Sequence, residues 1–197
     1  MPKIVNHQKR KEEIAKAAWK VIRQDGIRGV SVRRIADELG ISLGSLRHYF
    51  DSQEELLSFA MQLISIRVNQ RIQKIQFTGN PRKDVELIIR EITPMDEDQV
   101  LESEVWLVFA GEAVSNESMR MILRNVHQEL YVGFQRMIEL LETNNLTKEG
   151  TIVEVEAKRL HALVDGLVVH HTTFPELLTR DEITAIITAH LSSILRA

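Results

Sequence analysis

The sequence predicts an all-α fold of about nine helices, on three observations. Apolar residues recur at three- and four-residue intervals along almost the whole 197-residue chain. The interruptions fall at Gly, Pro and Asn, the residues that end helices or open turns. No segment alternates apolar and polar residues as a half-buried strand would. A composition of 44% hydrophobic and 27% charged residues is ordinary for a globular chain, and the length suffices for a real core.

The first helix is expected from about Gln8 to Gln24, with Ile14, Ala17, Ala18, Val21 and Ile22 on one stripe and Lys9, Arg10, Lys16, Lys20 and Arg23 on the other face. Asp25-Gly26 stops it, because Gly takes positive φ without a Cβ clash. Ser31 caps a second helix carrying Val32, Ile35, Ala36 and Leu39, and Gly40 ends it. Ile41 tucks in, and Ser42 caps a short third helix reaching Phe50. Ser52 and Glu55 form a capping box for a long fourth helix, with Leu56, Leu57, Ala60, Leu63, Ile64 and Val68 at helical spacing as far as about Phe77. Asn80 caps the fifth helix, with Pro81 at its first position, and Pro94 ends it. Helices six and seven are expected over roughly Asp96 to Val114 and Glu117 to Glu142. After the Asn144-Asn145 turn, helix eight covers about Thr151 to Thr172, and a Thr179–Glu182 capping box begins helix nine.

Composition excludes several functions. The chain has no Cys, so disulfides, thiolate catalysis, zinc fingers and iron-sulfur clusters are out, and a reducing cytoplasmic location suits it. No run approaches the roughly 18 apolar residues of a membrane span, and the polar, basic start has no apolar sequel, so neither export nor anchoring is expected. The net charge of −3 conceals an asymmetry. Residues 1–50 hold eleven Lys/Arg against five Asp/Glu, whereas the remainder holds fourteen against twenty-three. A basic head on an acidic body suggests a head that meets a polyanion, the alternative being a basic face that is simply solvated.

Residues 31–50 carry the sharpest signal. A helix of nearly three turns, a Gly-containing turn and a second short helix set two helices at a steep angle, so that the second can enter a DNA major groove by its leading end. Ser42, Leu43, Gly44 and Ser45 at that end are small or uncharged and let backbone approach a base edge or phosphate. Arg47, His48 and Tyr49 follow with polar tips, and Arg33 joins the DNA-binding set from the second helix. Ser31 and the free amides of the second helix can hold a phosphate. As a plain helical hairpin, the segment would use Ile35, Ala36, Leu39, Ile41, Leu46 and Phe50 as core; a hairpin alone leaves the basic outer face without a purpose.

The run from Val32 to Phe50, read with Ile14–Gly29 before it and Glu55-Leu56-Leu57 after it, resembles the DNA-binding signature of the TetR family. The resemblance implies about nine helices, a homodimer formed by the last two, and repression relieved by a small molecule bound in the C-terminal domain. It implies phosphate contacts at Ser31, Arg47 and Tyr49, and base contacts among Ser42, Leu43, Ser45 and His48. Many members have Tyr where this chain has Arg47 and Lys where it has Gln53, so one charge is added and another removed. Further on, Val105–Phe109, Leu130-Tyr131 and Leu163–Leu167 loosely resemble the betaine-pathway (BetI-like) branch. Residues 1–51 are accordingly expected to be the helix-turn-helix DNA-binding domain, and 52–197 the ligand-binding and dimerisation domain.

Helix eight has Leu160, Leu163, Val164 and Leu167 along a stripe, and helix nine has Ile183, Ile187, Leu191 and Ile194. Two such helices from each of two chains would make a four-helix dimer interface, with Gly166 allowing close approach, although an intrachain core also needs some of these side chains. For an effector, Glu102, Trp106 and Phe109 fall on one face of helix six, and a carboxylate beside two aromatics could hold a cation; Met137 is a further candidate lining residue. The competing arrangement is simple packing of the aromatics, with Glu102 in solvent. His161 and Asp165 are one turn apart, but His170 and His171 diverge on a helix and spacing supplies no third ligand, so no metal site is expected. No cofactor motif, phosphate loop or nucleophile elbow occurs, so the chain is not expected to be an enzyme. The expected partners are a near-palindromic double-stranded operator, a second copy of the chain and a small-molecule effector. The rivals are a non-specific architectural DNA binder and a helical enzyme or carrier.

Overall fold

The computed structural model describes residues 3–196. Among these it has nine α-helices: α1 (Lys3–Gly29), α2 (Val32–Leu39), α3 (Leu43–Arg47), α4 (Gln53–Ile72), α5 (Pro81–Ile92), α6 (Glu97–Ala113), α7 (Glu117–Thr143), α8 (Val153–Thr173) and α9 (Arg180–Ile194). The one β feature among them is an isolated bridge between Thr147 and Leu195. No helix of the described residues is long and apolar enough to cross a membrane.

Helix ends follow local chemistry closely. Asn80 accepts from Lys83 N with Pro81 in the first turn of α5, and Thr179 and Glu182 close a reciprocal capping box on α9. At α4 the box is displaced by one residue: Ser52 Oγ accepts from Glu55 N, while the Glu55 carboxylate accepts from Asp51 N. Two boundaries differ from expectation. Helix α1 begins at Lys3 and resumes for one short turn beyond Gly26, whose φ of 68° and ψ of 178° break it where Asp25-Gly26 was expected to end it. Helix α4 stops at Ile72, and Phe77, which was expected to close it, is left exposed.

The chain packs as two compact units, and the division does not follow residue 51. One comprises residues up to Arg67 together with Glu104–Val126. Its core is the α1 stripe of Ile14, Ala17, Ala18, Val21 and Ile22, with Ile35 and Ala36 of α2, Leu46 of α3, Phe50, and Leu56, Leu57 and Ala60 of α4. Trp19 is fully buried, and its indole Nε1 donates to the Ala60 carbonyl at 2.9 Å, giving a large aromatic the polar partner it needs inside.

The other unit comprises Val68–Ser103 and the chain from His127 onward. Val85 and Ile89 of α5, Phe134, Met137, Ile138 and Leu141 of α7, and the inward stripes of α8 and α9 make its core. It also encloses charge. The Arg71 guanidinium donates to both carboxylate oxygens of buried Glu102, at 3.0 and 2.8 Å, and to the Glu91 carbonyl at 2.9 Å. The Glu91 carboxylate lies 3.1 Å from Arg71 Nε. On α8, burial holds the His161 imidazole down to about 4, with the nearby His127 adding to the effect. Burial also pushes the Asp165 carboxyl up to about 6.

Candidate nucleic-acid interface

The reader is built from two caps and a left-handed turn. Ser31 Oγ accepts from Arg34 N at 3.1 Å and starts α2. Gly40 ends it at φ 63°, in the left-handed region, with its N–H directed to the carbonyls of Ala36 and Asp37. The Ile41 amide donates back to Ala36 O at 3.0 Å, and the chain then enters α3 through Ser42. Ser42 Oγ accepts from Ser45 N at 3.1 Å and lies 2.9 Å from Ser45 Oγ. Leu46 alone anchors α3 in the core. Tyr49 N and Phe50 N both donate to Leu46 O, which folds the exit of α3 back so that Phe50 is buried.

This leaves the residues expected to meet DNA on the outer side of the unit. Arg33, Ser42, Gly44, Ser45, Arg47 and His48 are exposed, and Ser31, Leu43 and Tyr49 are half-buried. The arginines divide by partner. Arg34 is engaged by Asp25 at 3.2 Å and by Glu38 at 3.4 Å. On α1, Arg10 pairs with Glu13 and Arg23 with Glu104. Arg33 and Arg47 have no carboxylate partner among the described residues, so their charge is open to a polyanion. Ser42 has a double duty, because the hydroxyl expected to read bases already caps α3.

Sequence reasoning missed His7. Its ring lies 4.8 Å from Tyr49 and 6.1 Å from His48, whose own rings meet edge-on at 5.4 Å, so α1 contributes to the polar cluster at the end of the reading helix. His7 is remote from the motif in sequence; the one available signal was its place at the start of an otherwise basic helix.

The residues expected at an effector site are placed as follows. Glu102 is buried and held by Arg71, not in solvent. Trp106 is half-buried, Phe109 fully buried and Met137 nearly so. Of the eight residues expected at a dimer interface, Leu160, Val164, Leu167, Ile183, Ile187, Leu191 and Ile194 are buried within the single chain, and Leu163 keeps partial exposure. Helix eight is apolar on more than one side, and the stripe with the largest side chains faces its own chain.

Comparison with known proteins agrees with the geometry. Residues 14–58 match the model for bacterial regulatory proteins of the tetR family, and residues 81–196 match that for the C-terminal part of BetI-type transcriptional repressors. The chain is 40% identical over 195 residues to the HTH-type transcriptional regulator PksA of Bacillus subtilis, covering 98% of this chain and 94% of that one. The solved structure of a transcriptional regulator from Rhodococcus sp. Rha1 superposes with a TM-score of 0.78 at 25% identity, over 93% of this chain and 95% of that one. A regulator from Saccharomonospora viridis, solved in complex with choline, has a TM-score of 0.76 at 20% identity, over 96% of this chain and 100% of that one. The chain therefore belongs to the tetR family of bacterial regulatory proteins, and it is a helix-turn-helix, DNA-binding transcriptional regulator and not an enzyme.

Proposed function

We propose that the chain is a cytoplasmic homodimeric repressor that binds a near-palindromic operator and leaves it when a small-molecule effector binds. The observation that carries the operator reading is the doubly capped α2–turn–α3 unit, with Arg33 and Arg47 open to phosphate beside the uncharged leading end of α3. Ser31, Arg33, Arg47 and Tyr49 hold phosphates, while Leu43, Gly44, Ser45 and His48 meet base edges, with Ser42 positioning them as the cap. A two-fold dimer places its reading helices one helical turn or a multiple of it apart, about 34 Å. Selection of bound sites from a random duplex pool tests this directly: an enriched inverted repeat is the expected outcome. Enrichment of nothing above random duplex at equal salt would favour the architectural rival.

The dimer is assigned to the outward faces of α8 and α9. Val155, Ala162, Gly166 and Val169 recur along α8, and Ala185, Ile186 and Ala189 along α9; all are exposed or half-exposed in the single chain. A Cβ at Gly166 would meet nothing within 4 Å, so the position has room for a partner backbone. Light scattering of the unaltered protein without DNA is expected to give the dimer mass at micromolar concentration.

The effector binds in the BetI-like C-terminal part. It must favour the released state, so by linkage the operator weakens effector binding by the same factor. A screen with choline and other quaternary cations against neutral and acidic ligands, read by melting temperature, identifies the class. Because Arg71 already occupies the Glu102 carboxylate, Glu102→Gln is expected to lower stability before it alters any ligand response.

A further inference from the structure

The unit containing α8 holds a group of side chains that DNA reading does not use. His161 and Asp165 lie one turn apart on α8, and His127, from α7, supplies the third donor that spacing along α8 could not; the donor atoms of the three lie within 4.8 Å of one another. His161 is only 5% exposed, yet its Nε2 has no hydrogen-bond partner among the described residues. The Asp165 Oδ2 atom lies 3.6 Å from that nitrogen, too far for a hydrogen bond. The His161 ring is fixed by stacking on Phe134 at 4.8 Å and on His127 at 4.6 Å. A buried polar atom normally finds a partner, and one that does not calls for an explanation such as an ion.

We propose that His127, His161 and Asp165 bind a single first-row divalent transition-metal ion of the Zn2+ type. Two imidazole nitrogens and one carboxylate oxygen are the donors such ions prefer, whereas Mg2+ and Ca2+ favour all-oxygen shells. A tetrahedral ion with bonds of about 2.1 Å needs donors roughly 3.4 Å apart, so the widest gap in the group must close by about 1.4 Å. His127 is exposed and can turn out of its stack on His161 to bring a ring nitrogen toward the ion, while the buried His161 stays as the fixed point on Phe134. Three protein donors leave one position open for water or for a donor atom of a small molecule, as in sites that exchange ligands and unlike closed structural sites. The ion would also tie α7 to α8.

The test uses the full-length chain, stripped with a chelator and titrated with Zn2+ in a calorimeter. One ion per chain is expected. His127→Ala removes an exposed ligand at little risk to the fold, and Asp165→Asn removes a charge at nearly constant shape; each should weaken binding about a hundredfold or more. His170→Ala, on the same helix but outside the group, should leave affinity unchanged. With Co2+ as probe, the unaltered chain should give the intense visible absorption of a low-symmetry nitrogen-and-oxygen site, and His127→Ala should abolish it. Circular dichroism confirms that the variants are folded. No uptake of Zn2+ at micromolar concentration, or equal uptake by the unaltered chain and both ligand variants, would overturn the site and leave His161 as a stacked, buried imidazole.

Discussion

The reader around α2 and α3 and the interior of the α8 unit use polar residues in opposite ways. In the reader, the apolar side chains of Ile35, Ala36, Leu46 and Phe50 go inward, and the charges of Arg33 and Arg47 stay in water. In the other unit, Glu102 and His161 are buried, and each meets its charged or aromatic neighbours from distant segments. The contrast teaches that exposed function costs the fold little and can be placed by neighbouring residues alone. Buried polar function requires the whole tertiary structure, because an ionic side chain inside must be matched by partners.

The strongest test of this contrast is a paired substitution on α9. Ile187 is 3% exposed and Ile186 36% exposed. Ile187→Glu puts a charge into the core, and a loss of about 4 kcal/mol or more of stability, read by denaturant titration, is expected. Ile186→Glu should leave the chain folded but convert the dimer to monomer in light scattering. A folded monomer from Ile187→Glu would mean that this side chain serves the interface and not the core.

Next in size is the buried ion pair. Arg71→Met withdraws the bidentate partner of Glu102 and should cost about 3 kcal/mol, measured at fixed protein concentration because the proposed dimer would contribute to apparent stability. Joining it with Glu102→Leu should recover most of the loss, since a well-packed apolar pair replaces a buried ionic one at little cost. An additive double variant would sink the view that the two residues act as a unit.

Gly40→Ala acts in the reader through backbone and not through charge. With φ at 63°, Ala is strained there by about 1–2 kcal/mol, and beyond its chain neighbours a Cβ at Gly40 would meet no atom of the described residues within 4 Å, so backbone strain is the main effect. A modest fall in melting temperature with a larger fall in operator binding is expected. Unchanged binding would mean that the α2–α3 angle tolerates relaxation.

The smallest effect on the fold, and the most specific on DNA, belongs to Arg47→Ala. Stability should not change, because Arg47 is exposed and has no carboxylate partner among the described residues. Binding should weaken about equally on all sequences, and the slope of log affinity against log salt should fall by about one for each phosphate that the side chain neutralises. An unchanged slope with a new base preference would move Arg47 from the phosphates to the bases.

What the sequence determined by itself is whatever is encoded within a turn or two of the chain. The caps at Ser31, Ser42, Asn80 and Thr179 and the left-handed Gly40 are such features, and each depends on atoms three or four residues away. So are the apolar stripes, which is why the helix order and the reader's outer face were legible. Only the tertiary structure decided which side of an all-apolar helix faces its own chain, and it placed the large residues of α8 inward. It also chose the partners of charged groups: Arg71 meets Glu102 across thirty-one residues, and His127 reaches His161 from another helix. Spacing along a helix says which residues share a face, but pairing between helices depends on how their faces pack, and that is a property of the folded chain as a whole.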